Sequence, residues 1–216
     1  KKTMVNWYRG GTGFAIDGDN LAMRGSASAW KTTYGSQEIK SGKCVWKIKI
    51  IKKSADMMIG VASNTKYLEN SYWSKSDTEC YAYYSGNGHA YGKSGNKAYS
   101  EKWAAGSVMG VHLDLDNQCI WFSKDGKNLG NAYTDVAKGN SYRLTVGMYG
   151  KDDEMKFLSY NNTSDDEKKQ EKDSNCIEKS TAFIMKQTKY LENELSNNKI
   201  QQLDVNGLSV TAKYFG

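Results

Sequence analysis

In Val111-His112-Leu113-Asp114-Leu115-Asp116-Asn117-Gln118-Cys119-Ile120-Trp121-Phe122-Ser123-Lys124-Asp125-Gly126-Lys127, apolar residues return at every second position. Val111, Leu113 and Leu115 alternate with His112 and Asp114, the period of a strand with one buried face. Asp116-Asn117-Gln118 supplies a turn, and Ile120 and Phe122 continue the pattern on the return strand. Lys124-Asp125-Gly126-Lys127 reads as a second tight turn, because Asp-Gly tolerates the positive φ that two-residue hairpins require.

The pattern extends outward. In Cys44-Val45-Trp46-Lys47-Ile48-Lys49-Ile50 the side chains of Trp46, Ile48 and Ile50 face one way and Lys47 and Lys49 the other. Leu144, Val146 and Met148 form another alternating strand. Turn signals recur at Gly18-Asp19-Asn20, Ser41-Gly42, Gly86-Asn87-Gly88, Ser94-Gly95-Asn96 and Lys138-Gly139-Asn140. Short strands at this spacing predict an all-β antiparallel sandwich. The chain has no proline, so its turns rest on Gly, Asn and Asp.

The 216 residues allow one sizeable domain or one and a half. Aromatic residues reach 12%, enough for a core and too many for a disordered chain. No apolar run approaches the roughly 18–20 residues that span a bilayer, so no membrane role is expected. The chain starts at Lys1 and is read as part of a larger polypeptide. Cys44, Cys80, Cys119 and Cys176 are scattered, with no C-x-x-C pair, which points to free thiols in a reducing, intracellular (cytoplasmic) setting. His89 and His112 are the only histidines, so no metal site is expected.

Composition changes near residue 161. Residues 1–160 carry 22 basic and 15 acidic residues, and the remainder 8 and 9. Residues 161–174 contain no apolar side chain and read as a charged linker. Over 175–203, Ile177, Thr181, Ile184, Thr188, Leu191 and Leu195 alternate spacings of four and three. This stripe fits a short coiled coil, which would self-associate, or an amphipathic helix packed on the sandwich. Residues 204–216 read as a turn and a strand. Leu203–Thr211 resembles Ile16–Arg24, so the strand either completes this domain or begins a second copy.

With the strands placed, four stretches resemble the SPRY domain family. These are Ser41-Gly42-Lys43-Cys44-Val45-Trp46-Lys47-Ile48, Met58-Ile59-Gly60-Val61-Ala62, Gly106-Ser107-Val108-Met109-Gly110-Val111-His112-Leu113-Asp114, and Trp121–Gly130. Tyr142–Phe157 fits the closing strands, so the match runs over roughly residues 10–160. Lys47 stands where the family commonly has Glu, and Asp125-Gly126 replaces its Asn-Gly. The resemblance implies a bent, concanavalin-like sandwich without catalytic activity or cofactor. Such domains bind a peptide or protein through loops at one edge, within ubiquitin-ligase substrate receptors, scaffolds and other larger proteins.

Catalytic signatures are missing. Gly86-Asn87-Gly88-His89 lacks the Lys-Ser/Thr of a phosphate loop, and no G-x-S-x-G elbow occurs. His112 belongs to the strand face opposite the core, and His89 reads as a turn residue. Asp114 and Asp116 share a face, where paired carboxylates could hold a cation, but the resemblance makes Asp114 a structural strand-end residue. Lys47, Lys49, Lys52 and Lys53 form the one basic cluster. It is read as a solvated strand edge, where lysine discourages strand-to-strand aggregation, and nucleic acid is not the expected ligand. Carbohydrate binding by exposed aromatics, or an assembly role for the C-terminal helix, are the alternatives.

Aromatic residues outside the alternating strands mark the expected partner surface. They are Trp30 and Tyr34, then Tyr67, Tyr72 and Trp73, then Tyr91, Tyr99 and Trp103. In the sandwich order these loops can converge on one edge. Trp30 and Trp103 can instead plug the ends of the core. Tyr72 and Trp73 are the favoured contacts, because two adjacent aromatics in a polar loop do not both point inward easily.

Overall fold

The computed structural model describes residues 7–24, 29–73, 77–162, Lys189, 202–206 and 209–213. The chain divides into two units, Lys1–Ser164 and Asp165–Gly216. The first holds fourteen strands: β1 Trp7–Gly10, β2 Phe14–Asp17, β3 Asn20–Met23, β4 Lys31–Ile39, β5 Lys43–Lys52, β6 Met57–Ala62, β7 Cys80–Tyr84, β8 His89–Gly92, β9 Gly95–Ala98, β10 Val108–Asp114, β11 Cys119–Lys124, β12 Lys127–Tyr133, β13 Tyr142–Met148 and β14 Glu154–Asn162. They form two seven-stranded antiparallel sheets, in the order β1-β4-β13-β6-β7-β8-β9 and β12-β11-β10-β5-β14-β3-β2.

The alternation read from sequence sets the core. Trp46, Ile48 and Ile50 of β5 and Met109, Val111 and Leu113 of β10 are buried against Ile59, Val61, Tyr81, Tyr83, Leu144 and Val146 of the other sheet. Asp125 and Gly126 take φ of 51° and 85° in the β11–β12 turn, as Asp-Gly predicts. Asp125 Oδ1 also accepts the Val108 amide at 2.7 Å, tying the turn to β10. Asp114 and Asp116 work separately. Asp114 accepts the Asn117 amide at 2.9 Å and pairs with Lys43 at 3.5 Å, whereas Asp116 accepts the Gly42 amide at 3.1 Å.

Two expectations about the lysines and the linker are corrected. β5 is the middle strand of its sheet, so Lys47 and Lys49 do not guard an edge. Asn161 and Asn162 belong to β14, paired with Val45 and Cys44, rather than to the linker. The linker from 163 and the stripe residues of the expected helix lie outside the described residues. Within that span Lys189 is helical. In the second unit, Gln202–Asn206 (β15) and Ser209–Lys213 (β16) pair antiparallel, so a hairpin stands where one strand was expected. Residues 14–23 also form a hairpin, with Asp17 opposite Asn20. The two turns are offset by two residues relative to the sequence similarity.

Candidate functional site

The outward face of the first sheet is built from small residues. Met58, Gly60 and Ala62 of β6 alternate with the core-facing Met57, Ile59 and Val61, and Ala82 of β7 alternates with Tyr81 and Tyr83. Gly147 of β13 continues this floor. A Cβ there would sit 3.1 Å from the Trp73 ring and 3.5 Å from the Trp30 ring. A glycine in a strand interior therefore marks close approach of other groups.

The β6–β7 connection lies over this floor. The Thr32 amide donates to the Leu68 carbonyl at 2.8 Å, and the Thr32 hydroxyl to the Asn70 carbonyl at 2.6 Å. Glu69 accepts from the Thr12 amide at 2.5 Å, from the Thr12 hydroxyl at 2.9 Å, and from Lys31. The Lys31 ammonium, then the Thr12 amide, hold the Glu69 carboxyl down to about 2. Tyr67 donates to Asp77, and Lys66 pairs with Asp77 at 3.0 Å. The connection is thus fixed at several points, and its aromatics have set positions.

Those positions sort the expected site residues. Tyr72 is fully buried beside Tyr34, Met58, Ala62, Cys80 and Ala82 in a second, smaller hydrophobic cluster. Its hydroxyl donates to the Thr145 carbonyl at 3.4 Å, and burial pushes its pKa well up. Tyr34 and Tyr72 are therefore packing residues and offer no surface to a partner. The loop forms its own small core on the sheet, which lets Tyr72 point inward. Trp103 is also buried, in the main core against Tyr83 at 6.3 Å, the plugging role weighed for it. Tyr99 packs on the same core, accepting the Phe122 amide at 3.1 Å and donating to the Gly130 carbonyl at 2.6 Å. The three groups of aromatics therefore do not all converge: Trp103 belongs to the interior, and Tyr99 is partly buried against that core rather than against the outer cluster.

Trp30, Trp73 and Tyr91 come together on the outward face with two rings the sequence reading omitted, Tyr84 and Tyr149. Trp30 meets Trp73 edge-on at 4.6 Å, Tyr149 at 5.6 Å and Tyr84 at 6.1 Å. Tyr84 meets Tyr91 edge-on at 5.7 Å. All five rings keep part of their surface in solvent. Tyr84 donates to Asp56 at 2.5 Å, which raises its pKa beyond the effect of burial, and Lys53 lies 3.8 Å from the other Asp56 oxygen. Tyr67 is partly exposed and engaged with Asp77. Tyr84 was legible, because it shares parity with Ala82 in β7 and so faces away from Tyr81 and Tyr83.

This arrangement is a rigid, amphipathic contact surface with hydroxyl and carboxylate at its margin. It has no nucleophile–base pair. Among the described residues no group of His, Cys, Asp and Glu could hold a metal. His112 stacks on Trp121 at 5.0 Å and its Nε2 is 2.9 Å from the Ser123 hydroxyl. Burial, with Lys47 nearby, lowers it to about 4, so it is neutral and structural at pH 7. Burial likewise raises the thiols of Cys44 and Cys80, the latter to about 12. No described helix is long and apolar enough to cross a membrane.

The SPRY domain family model matches residues 43–162, more than half the chain. The chain belongs to the SPRY domain family. SPRY domains are generally non-catalytic protein-interaction modules, which agrees with the surface described. Ran-binding protein 9 of Xenopus tropicalis is 32% identical over 104 residues, covering 48% of this chain and 19% of that protein. The RNA helicase DDX1 of Xenopus laevis is 25% identical over 160 residues, covering 72% of this chain and 20% of that protein. The matched part is thus about a fifth of each relative's length. Among solved structures, the SPRY domain of human HERC1 overlays with a TM-score of 0.57 at 20% identity, covering 74% of this chain and 96% of that one. A human SPRY domain overlays at 0.58, also at 20% identity, covering 69% and 96%. These likenesses concern the fold.

Proposed function

We propose that this SPRY domain captures a protein or peptide partner on the aromatic patch of Trp30, Trp73, Tyr84, Tyr91 and Tyr149. The module serves a larger intracellular protein, such as a scaffold or a ubiquitin-ligase substrate receptor. The observation carrying this reading is five partly exposed aromatic rings in mutual contact on a packed floor. Rings held this way lose little conformational entropy on binding, and Trp and Tyr dominate interface hot spots. The Ran-binding proteins among the relatives are named for a protein partner, which fits a protein ligand here.

The test is affinity purification with the full chain and with a Trp73→Ser/Tyr149→Ser variant. Partners recovered by the parent should be weakened by more than about 2 kcal/mol, the hot-spot scale. The variant should remain folded by near-ultraviolet circular dichroism. Capture that survives the variant but disappears when residues 163–216 are removed would move the function to the C-terminal segment.

A further inference from the structure

The outward face of the second sheet poses a separate problem. Its middle is formed by β5 and β14, and lysines occupy it. Lys49 is directly opposite Lys156 in the register, and Lys47 follows two residues along the same strand. Like charges facing each other across a strand pair destabilise a sheet. Among the described residues, no ion pair neutralises Lys47 or Lys156. Of the acidic groups nearby, Glu154 pairs with Arg24 at 2.7 Å and Asp114 with Lys43, while Asp17, opposite the Asn20 that pairs with Lys156, makes no ion pair among the described residues.

Apolar surface lies beside these charges. Ile51 is 48% exposed and Leu158 46%. Ile51 also borders a hollow of about 370 Å³ lined by Ala15, Ala22 and Met155 together with Asp17, Arg24 and Glu154. On the other side Lys47 pairs with Gly110, over which the Ser123 hydroxyl and the His112 ring close, and the His112–Trp121 stack follows. A basic row flanked by aliphatic side chains and a hollow offers a partner both charge and apolar contact.

We propose that this face is a second interaction surface and that its occupant is an acidic, amphipathic protein segment. Its carboxylates meet Lys47, Lys49 and Lys156, and one apolar side chain enters the hollow beside Ile51. Nucleic acid fits less well. Phosphates would satisfy the lysines but leave Ile51 and Leu158 unused, and one face of the Trp121 ring is already covered by His112. The surface lies on the sheet opposite the aromatic patch, so the two proposals stand or fall separately.

The experiment selects binders of the full chain from a random-peptide phage library. The pool is then re-tested on Lys47→Glu/Lys156→Glu, on Ile51→Ser and on Trp73→Ser/Tyr149→Ser. One class of peptides should combine Asp or Glu with a fixed apolar residue. It should lose about tenfold or more in affinity on the first two variants and none on the third. Lys156→Glu should also raise the melting temperature of the unbound chain at low salt, because it relieves the repulsion with Lys49. That readout separates loss of a ligand site from loss of fold. The proposal is overturned if no selected peptide depends on the lysines, or if Ile51→Ser leaves the acidic class unaffected. It is also overturned if a uridine oligonucleotide binds this face more tightly than the peptides, or if sedimentation shows a dimer that the lysine reversals dissolve.

Discussion

The interior between the sheets and the smaller cluster outside the first sheet are built by different rules. The interior is supplied mainly by strands, with every second residue of β5, β10 and β13 facing inward. The outer cluster begins with residues that supply almost nothing: Ala62 and Ala82 are small, and Gly147 leaves room for the Trp73 and Trp30 rings. Large rings fill that room from elsewhere in the chain, Trp30 from the segment before β4 and Tyr72 and Trp73 from the β6–β7 connection. Two kinds of packing therefore coexist, one made by periodicity and one by gaps and the loops that close them. The second gathers five partly exposed aromatic rings on one face.

The contrast is tested most severely at Trp46, fully buried in the interior. Trp46→Ala should cost about 3–5 kcal/mol, comparable with the whole stability of many domains. The variant should be insoluble or unfolded at 25 °C. A chemical denaturation curve matching the parent would show that the interior is not continuous through β5.

Tyr72→Ala attacks the outer cluster and should cost less, about 2–3 kcal/mol, because a loop can settle into the cavity where a sheet cannot. The denaturation midpoint should fall with an unchanged slope. An unaltered midpoint would mean that the loop contributes no core of its own. A loss as large as that of Trp46→Ala would erase the distinction between the two regions.

The smallest effect concerns the fastening of that loop. Glu69 is held below the ordinary carboxylate range by Lys31 and Thr12. A carboxyl lowered in the folded state stabilises it above the unfolded value and loses that contribution as pH falls toward the folded one. The loss should therefore run from about pH 4.5 down to about 2. Glu69 is well exposed, so solvent screening keeps the effect small. Glu69→Gln should flatten the acid limb of the melting temperature in that window and speed proteolytic cleavage within residues 63–73 at neutral pH. Identical cleavage rates would show that the backbone contacts to Thr32 suffice.

The interior was legible in the sequence because each strand carries its own alternation. The SPRY resemblance added the bent sandwich that no single strand encodes. The Asp125-Gly126 turn was legible for a local reason, the φ it must adopt. The outer cluster was only half legible. Its aromatics stood out, but no local signal couples Tyr72 to a floor that the flanking β6 and β7 share with the distant β4 and β13, so its burial was missed. Tyr149 was missed because it follows the last alternating residue of β13. The lysines of β5 were seen, but not their placement. Edge and centre are properties of strand order, and β5 becomes central only through partners that begin 65 and 111 residues after its own first residue.

That strand order also dictates when the molecule can come into existence during synthesis. β13 and β14 are the last strands of the sandwich, yet each inserts in the middle of a sheet, β13 between β4 and β6 and β14 between β5 and β3. Until residues 142–162 have left the ribosome, β4 and β6 lack their shared neighbour, and Ile48 and Ile50 have no β14 beside them. The nascent chain must wait with strands unpaired on both sheets, a state prone to association with its neighbours on the same message. Closure then comes late and all at once, as two strands drop into two slots.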